Sequence, residues 1–374
     1  MDNFRSAFKR KVVDVRLNSF AADNYDEFRF GKAEIRDYRT SLYYLKSFVK
    51  GIIGYDKERY NSIAESLLAN DLAAYVDGLE LMYRNLTYND KELLVSLIAY
   101  RTLGYSKVKL TRNNDAYWKA VKTAKTLTSS GETYDPHFIH FILEKFDLKA
   151  IGYNIQLFFT GDGIATDFII EQYAYKTNGQ TLVEARKGDV VLDIGGCWGD
   201  TALYFAHKVG DDGKVFSFEF IPDNIKLFDI NTNLNPHLKR SIELVAHPVT
   251  DHTGDTIFFL DNGPGSRIET KSFNGQTGST TTVSIDDFVL AQKVEKVDYI
   301  KMDIEGAEPM ALRGAIETIK KFKPTLAISI YHSMEDFINI PRWILELNLD
   351  YEIFIGHYTI HAEETICFAK PRGR

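Results

Sequence analysis

Cysteine is nearly absent. Cys197 and Cys367 are the only two in 374 residues, which leaves no disulfide framework and no cysteine-rich zinc site. Long apolar runs are missing too. None approaches the ~18 residues of a membrane span, and the first 30 residues hold no apolar signal-like segment. A cytoplasmic chain without a membrane span is the expectation. There is no excess of basic charge. The formal charge of −7 gives no footprint for nucleic acid, and Lys9-Arg10-Lys11 is too short to make one. What is present is an ordinary globular share of apolar residues, 44%, in a chain long enough for two domains.

The two halves differ in pattern. Residues 1–30 give no assignable element. From about Lys32, Tyr38, Leu42, Leu45, Val49 and Ile52 recur at helical spacing, with Gly54 as a stop. Ile63, Leu67 and Leu68 begin a second helix, and Leu72, Tyr75, Val76 and Leu79 a third. Asn89-Asp90-Lys91-Glu92 reads as the N-cap of a fourth that ends at Gly104, and residues 115–127 as a fifth. Ser129-Ser130-Gly131 reads as a loop. Asp135-Pro136 then predicts a short helix through His137, His140 and Phe141 to Phe146-Asp147. His137 and His140 lie one turn apart but have no further ligands, so they read as exposed histidines. Residues 1–150 form a mainly helical domain that shapes an acceptor site or a contact between copies, and residues 151–374 form a second domain.

From Gly188 strand-like runs alternate with helical ones, the pattern of an α/β parallel sheet. The main strands are Val190–Leu192, Lys214–Glu219, Ser241–Val245, Val297–Met302 and Pro324–Tyr331. Short strands at Asp255–Leu260 and Thr280–Ser284 flank a Gly- and Ser-rich loop. Helices are expected at Asn224–Asn233, Pro309–Phe322 and Trp343–Leu347. Tyr351–Ile355 and Thr365–Ala369 read as an antiparallel edge hairpin.

Candidate chemistry gathers at strand ends. Val190–Leu192 runs into Asp193, Gly195, Gly196, Gly199, Asp200 and Thr201, a strand, tight turn and helix start that can hold a cofactor. Cys197 stands where a dinucleotide fingerprint wants its second glycine, so a ligand without a pyrophosphate fits better. Asp193 is placed to hold a cationic amino group or order water. Glu219, about 20 residues on, can accept ribose hydroxyls. Asp303 ends the fourth strand, with Glu305 and Glu308 just beyond. Glu308 reads as an acid stabilised by a helix first turn. His332 ends the next strand, beside Asp303, and histidine is the usual base near neutral pH. Arg267, in the loop after the third strand, can reach an acceptor's hydroxyl or carboxylate.

These segments together resemble the FkbM family of S-adenosylmethionine-dependent methyltransferases. The resemblance rests on Asp193-Ile194-Gly195 with Gly199-Asp200-Thr201 and on Glu219-Phe220-Ile221-Pro222-Asp223-Asn224. It rests also on Lys301-Met302-Asp303-Ile304-Glu305-Gly306-Ala307-Glu308 and Leu312-Arg313-Gly314-Ala315. It covers residues 165–370, with Phe158–Tyr175 as a lead-in. Gly196-Cys197-Trp198 and Phe220-Ile221 depart from the family's usual residues. The resemblance implies a Rossmann-like class I methyltransferase sheet, with S-adenosylmethionine bound by the Gly195–Thr201 turn, Glu219, Phe220, Asn224 and Asp303. The implied reaction is O-methylation of a small-molecule or glycan acceptor. His332 is the expected base, with Asp303 orienting it or the methionine end of the cofactor. The competing arrangement puts magnesium or manganese on Asp303, Glu305 and His332. A scaffold protein with an inactive cradle is the alternative from another class. A homo-oligomer is compatible with either.

Overall fold

The computed structural model describes residues 3–18, 20, 23–25, 49 and 56–373. The helix expected over Tyr38–Ile52, and its stop at Gly54, fall outside these residues apart from position 49.

The N-terminal part opens with a helix, Phe4–Asp14, that the sequence left unassigned. Phe4, Phe8 and Val12 lie on one face of it and are fully buried. Helices Lys57–Ala69, Val76–Asn85, Tyr88–Leu103 and Asp115–Lys125 follow. The cap of Tyr88–Leu103 is Thr87, which accepts the Asp90 N–H, two residues before the Asn89 expected from sequence.

The helix expected at His137–Phe146 does not form. Thr128–Tyr134 (β1), Leu143–Asp147 (β2) and Gln156–Phe159 (β3) make a three-stranded sheet instead. Asp135 accepts the His137 N–H, and His137 and Ile139 take left-handed φ of 54° and 51°, which no helix accommodates. Leu143 and Phe146, three apart, follow helical spacing, but pairing on both sides of β2 makes the segment a strand, with the two side chains on opposite faces. Tyr175–Thr177 (β4) and Gln180–Val183 (β5) make a small hairpin.

The central sheet contains Val190–Ile194 (β6), Lys214–Phe218 (β7), Ile242–Val245 (β8), Tyr299–Met302 (β12), Thr325–Ser329 (β13), Tyr351–His357 (β14) and Thr365–Pro371 (β15). Between β8 and β12, Thr256–Leu260 (β9), Arg267–Glu269 (β10) and Gly278–Thr281 (β11) form their own small sheet around the Gly-rich loop. The central order is β14-β15-β13-β12-β6-β7-β8. Strands β13, β12, β6, β7 and β8 are parallel, and β15 runs antiparallel to both its neighbours, β13 and β14, the antiparallel pair the sequence predicted. This is the Rossmann-like class I methyltransferase arrangement, with a helical N-terminal region packed on it.

Alternation along the strands feeds two cores. Leu192, Ile194, Ile300, Met302 and Ile328 pack in one cluster with Phe4, Leu79 and Leu97 of the N-terminal helices. Val191, Val215, Tyr299 and Ala327 pack in the other, with Leu203 and Phe205 of helix Asp200–Val209 and with Phe146 and Phe158. The N-terminal helices therefore share a core with one face of the sheet. The helix expected over Pro309–Phe322 is broken into Glu308–Arg313 and Ile316–Phe322. Gly314 lies in the break, where a Cβ would come within 2.3 Å of the Thr250 carbonyl oxygen.

Candidate active site

The carboxyl edge of β6, β7 and β12 opens into a cleft of about 800 Å³. Ligands bind at this edge in open α/β sheets, where the strand order reverses. Here the reversal falls between β6 and β12. The turn after β6 is held by Gly195 and Gly196, whose N–H groups both donate to the Phe218 carbonyl. Gly195 has φ of 90°, and a Cβ there would lie 2.0 Å from the Asp303 carbonyl oxygen. Only glycine lets β6 and β12 leave the sheet this close together.

Of the residues expected at the site, Gly195, Asp200, Thr201, Glu219, Phe220, Asn224, Asp303 and Glu305 line the cleft. Asp193, Gly196, Gly199, Arg267 and His332 do not. For Asp193 the reason is register. Lys301, Asp193 and Ser217 are neighbours in one row across β12, β6 and β7. Asp193 is fully buried, 3.1 Å from the Lys301 ammonium, and accepts from Thr201 and Ser217 hydroxyls. Lys301 also donates to the Gly195 carbonyl at 2.6 Å. Burial works against its charge, but Asp193, Asp303 and Asp200 outweigh it and hold the pKa above the usual lysine value. Asp193 is thus the anchor of a buried ion pair beneath the turn and does not itself line the cleft. Arg267 is turned outward and bonds Glu269.

Glu219 sits at the end of β7. Its carboxylate accepts the Phe220 and Ile221 N–H groups at 2.7 and 2.8 Å and the Asn224 amide at 3.2 Å. Trp198 donates in turn to Asn224, fixing that amide. Burial raises the Glu219 pKa to about 7, although all three donors oppose the rise. On the facing wall, Asp167 and Asp200 are buried side by side. Burial first and the Asp200 charge second hold Asp167 well above the usual carboxylate range. Burial lifts Asp200 to about 6 against the pull of Lys301. One Asp200 oxygen and the Gln172 amide oxygen are buried without a hydrogen bond. Orphaned buried acceptors call for a donor, and a cationic amino group is the donor that two carboxylates and an amide suit.

Asp303 follows β12. Tyr173 donates to one of its oxygens at 3.2 Å, and Tyr331 reaches both at 3.2 and 3.3 Å. Burial raises the Asp303 pKa, with Lys301 and His332 pulling it back. His332 stands behind it. Its Nε2 is 3.4 Å from Asp303 and 3.7 Å from Glu305, and its Nδ1 is 3.3 Å from Glu308. Burial disfavours the imidazolium, yet the three carboxylates outweigh that and lift its pKa to about 9. His332 does not line the cleft; Asp303 does, with the ring behind it. Glu308 differs from its sequence reading as well. It is fully buried, accepts the Ile304 N–H at 2.8 Å and faces His332, so it is more than a helix-terminal charge.

Several cleft residues had no signal of their own in the sequence. Asp167, Gln172 and Tyr173 come from the lead-in, where residues Ile164–Ile170 form a π-helical turn. Phe138, Phe141 and Tyr117 come from the N-terminal part. Arg101, on helix Tyr88–Leu103, bonds the carbonyls of Tyr331 and Ala362 from behind the site.

Residues 183–353 match the profile described as the methyltransferase FkbM domain. The hexuronic acid methyltransferase AglP of Haloferax volcanii is 26% identical over 173 residues, which cover 46% of this chain and 68% of that protein. The crystal structure of the FkbM methyltransferase from Methylobacillus flagellatus KT aligns at a TM-score of 0.50 and 15% identity. That alignment covers 88% of this chain and 71% of that one, a likeness of fold.

Proposed function

We propose, from the match of residues 183–353 to the methyltransferase FkbM domain, an S-adenosylmethionine-dependent O-methyltransferase acting on a sugar, glycan or natural-product hydroxyl. The observation that carries the reading is one cleft holding a ribose-type acceptor, Glu219, an ammonium-type pocket of Asp200, Gln172 and Asp167, and a buried acid, Asp303. Those donor and acceptor sets fit the ribose and the amino-acid end of the cofactor. When bound, S-adenosylmethionine supplies a methyl group on a positively charged sulfur. The chain's own residues supply position and a path for the proton.

Asp303, oriented by Tyr173 and Tyr331, would accept the acceptor hydroxyl's hydrogen bond and then its proton, while the bound cofactor would supply the methyl group and leave as S-adenosylhomocysteine. A positioned base of this kind contributes about 10²–10⁴-fold. Alignment of oxygen, carbon and sulfur contributes ~7–11 kcal/mol in well-oriented systems. Tyr117, Phe138, Phe141, Phe159 and Trp198 give the cleft aromatic walls, suited to the apolar face of a sugar ring. AglP's hexuronic acid makes a sugar the first acceptor class to test. Residues 1–150 are read as the part that shapes the acceptor side, since Tyr117, Phe138 and Phe141 come from it.

Calorimetry with S-adenosylmethionine, followed by transfer of a labelled methyl group to a panel of sugars, tests the proposal. Saturable binding with transfer to a hydroxyl supports it. Absence of cofactor binding returns the chain to the scaffold reading.

A further inference from the structure

Two tyrosines aim the Asp303 carboxylate, and both are held from the N-terminal region. Tyr331 reaches both Asp303 oxygens and Tyr173 reaches one. The carbonyl of Tyr331 accepts from the guanidinium of Arg101, which comes from helix Tyr88–Leu103, 230 residues away in the chain. Arg101 also donates to the Ala362 carbonyl at 3.1 Å. Ala362 lies in the loop between β14 and β15, whose Thr359 and Glu364 line the cleft. One cation thus ties the end of β13 to that loop, and it packs over the Phe337 ring at 4.9 Å.

Arg112, in the turn before helix Asp115–Lys125, makes a second connection. Its Nε donates to the His357 carbonyl at 2.9 Å, and its guanidinium packs over the Tyr358 ring at 5.4 Å. The Tyr358 hydroxyl donates to the Ala174 carbonyl at 3.0 Å. Ala174 follows Tyr173, the other tyrosine on Asp303. This path is longer than the first by one side chain.

Packing alone does not call for cations here. Leu97 and Ile98, one turn before Arg101 on its helix, belong to an apolar core, and burial works against the charge of both arginines. A guanidinium supplies what an apolar side chain lacks. Its N–H donors lie in one fixed plane and set the direction of a carbonyl and of the residue that carries it. Turnover depends steeply on such placement: a shift of about 1 Å arising far from the chemistry costs on the order of 10²-fold.

We propose that Arg101 and Arg112 are positioning residues of the reaction, Arg101 acting on Asp303 through Tyr331, and Arg112 through Tyr358, Ala174 and Tyr173. The N-terminal region then belongs to the reaction centre as well as to the cleft wall. The rate effects rest on the methyltransferase reading; the connection between the segments does not.

The test is a set of double-mutant cycles in the full chain, crossing Arg101→Lys and Arg112→Lys with Tyr331→Phe and Tyr173→Phe. Turnover is scaled to the number of cofactor-binding sites, so that unfolded protein is not counted. Arg101→Lys should lower it about tenfold or more and leave the Kd of S-adenosylmethionine within about twofold. It should add little to the loss in Tyr331→Phe and multiply the loss in Tyr173→Phe. Arg112→Lys should lose less, with the reverse pattern. Guanidinium ion in solution should restore part of the turnover of Arg101→Ala. Leu68→Ala, which removes a buried side chain of helix Lys57–Ala69, is the stability control and should turn over like wild type per site. Losses that multiply in both tyrosine backgrounds, or Arg101 variants no slower per site than Leu68→Ala, overturn the proposal. Hydrogen exchange reads the connection without any reaction: amides of residues 330–333 and 359–364 should exchange faster in Arg101→Ala than in Leu68→Ala, and equal exchange overturns it as well. Wild-type protein that binds no cofactor would remove the methyltransferase reading, and hydrogen exchange would still decide whether Arg101 holds these segments.

Discussion

Asp193 and Asp303 end adjacent strands, β6 and β12, and in sequence each is an acid that closes an apolar run. Their surroundings are opposite. Asp193 lies within a complete set of partners: Lys301 at 3.1 Å, two hydroxyl donors and no route to the cleft. Asp303 lies on the cleft wall, with two tyrosine hydroxyls at the long end of hydrogen-bond range and an imidazole behind it. A satisfied buried charge holds a fold together. A charge that faces a cleft is available for chemistry. The strand pairing decides which is which, because Lys301 faces Asp193 in register and Asp303 lies beyond the last pair.

Replacing each acid separates the two roles. The largest effect is expected at Asp303. Asp303→Asn should lower methyl transfer about 10²–10⁴-fold while cofactor binding and the melting temperature stay near wild type. A variant that keeps its rate would place the reaction centre elsewhere. Asp193→Ala should behave in the opposite way. It leaves the Lys301 ammonium buried without its main partner, a change that costs ~3–5 kcal/mol and reads as a lower denaturation midpoint. If Asp193→Ala melted like wild type and lost only cofactor affinity, the contrast between the two acids would fail.

A smaller effect sharpens the comparison from behind the site. Arg101 bridges the Tyr331 and Ala362 carbonyls and packs over the Phe337 ring at 4.9 Å. Arg101→Ala should cost about 1–3 kcal/mol, the penalty for leaving buried acceptors unmet. Lysine should not restore it, since one ammonium lacks the fork that reaches both carbonyls. Chemical denaturation of the three proteins measures this directly.

Much of the sheet could be read from the chain because its signals are local. Val190–Leu192 and Val297–Met302 are short apolar runs bounded by glycine or acid, and the Thr365–Ala369 run follows a polar loop. The acids at their ends could be placed by topology alone. What could not be read is orientation. Register turned Asp193 inward, and three carboxylates around His332 raise its pKa against the effect of burial. The segment after Asp135-Pro136 reads as helix because Leu143 and Phe146 are spaced by three, whereas the pairing that makes it a strand comes from β1 and β3, outside any local pattern. Glu308 looked like any acid in a first helical turn; only the packing of β13 against β12 shows the histidine facing it. Asp167 and Gln172 carry no motif, and their meaning appears once the π-helical turn carries them to the cleft.

The smallest expected effect concerns Glu219, which lies between the two extremes. Like Asp193 it is buried and accepts three hydrogen bonds, and like Asp303 it lines the cleft. Burial raises its pKa to about 7. Because this folded value lies above the ordinary glutamate value, the empty protein gains stability from protonation, a gain complete below the ordinary value and lost as pH rises through about 7. Ribose hydroxyls ask for the opposite, since they donate to the ionised form. Cofactor affinity should therefore fall as pH drops from 8 to 6, by up to about tenfold per unit below the pKa. Asp200 titrates near 6 in the same cleft, so the loss between pH 8 and 7 is the part to assign to Glu219. Glu219→Gln should flatten that upper segment, bind more weakly at pH 8, and melt higher than wild type there without ligand. A variant that instead melted lower at pH 8 and kept the wild-type pH dependence would make Glu219 a structural acid of the Asp193 kind.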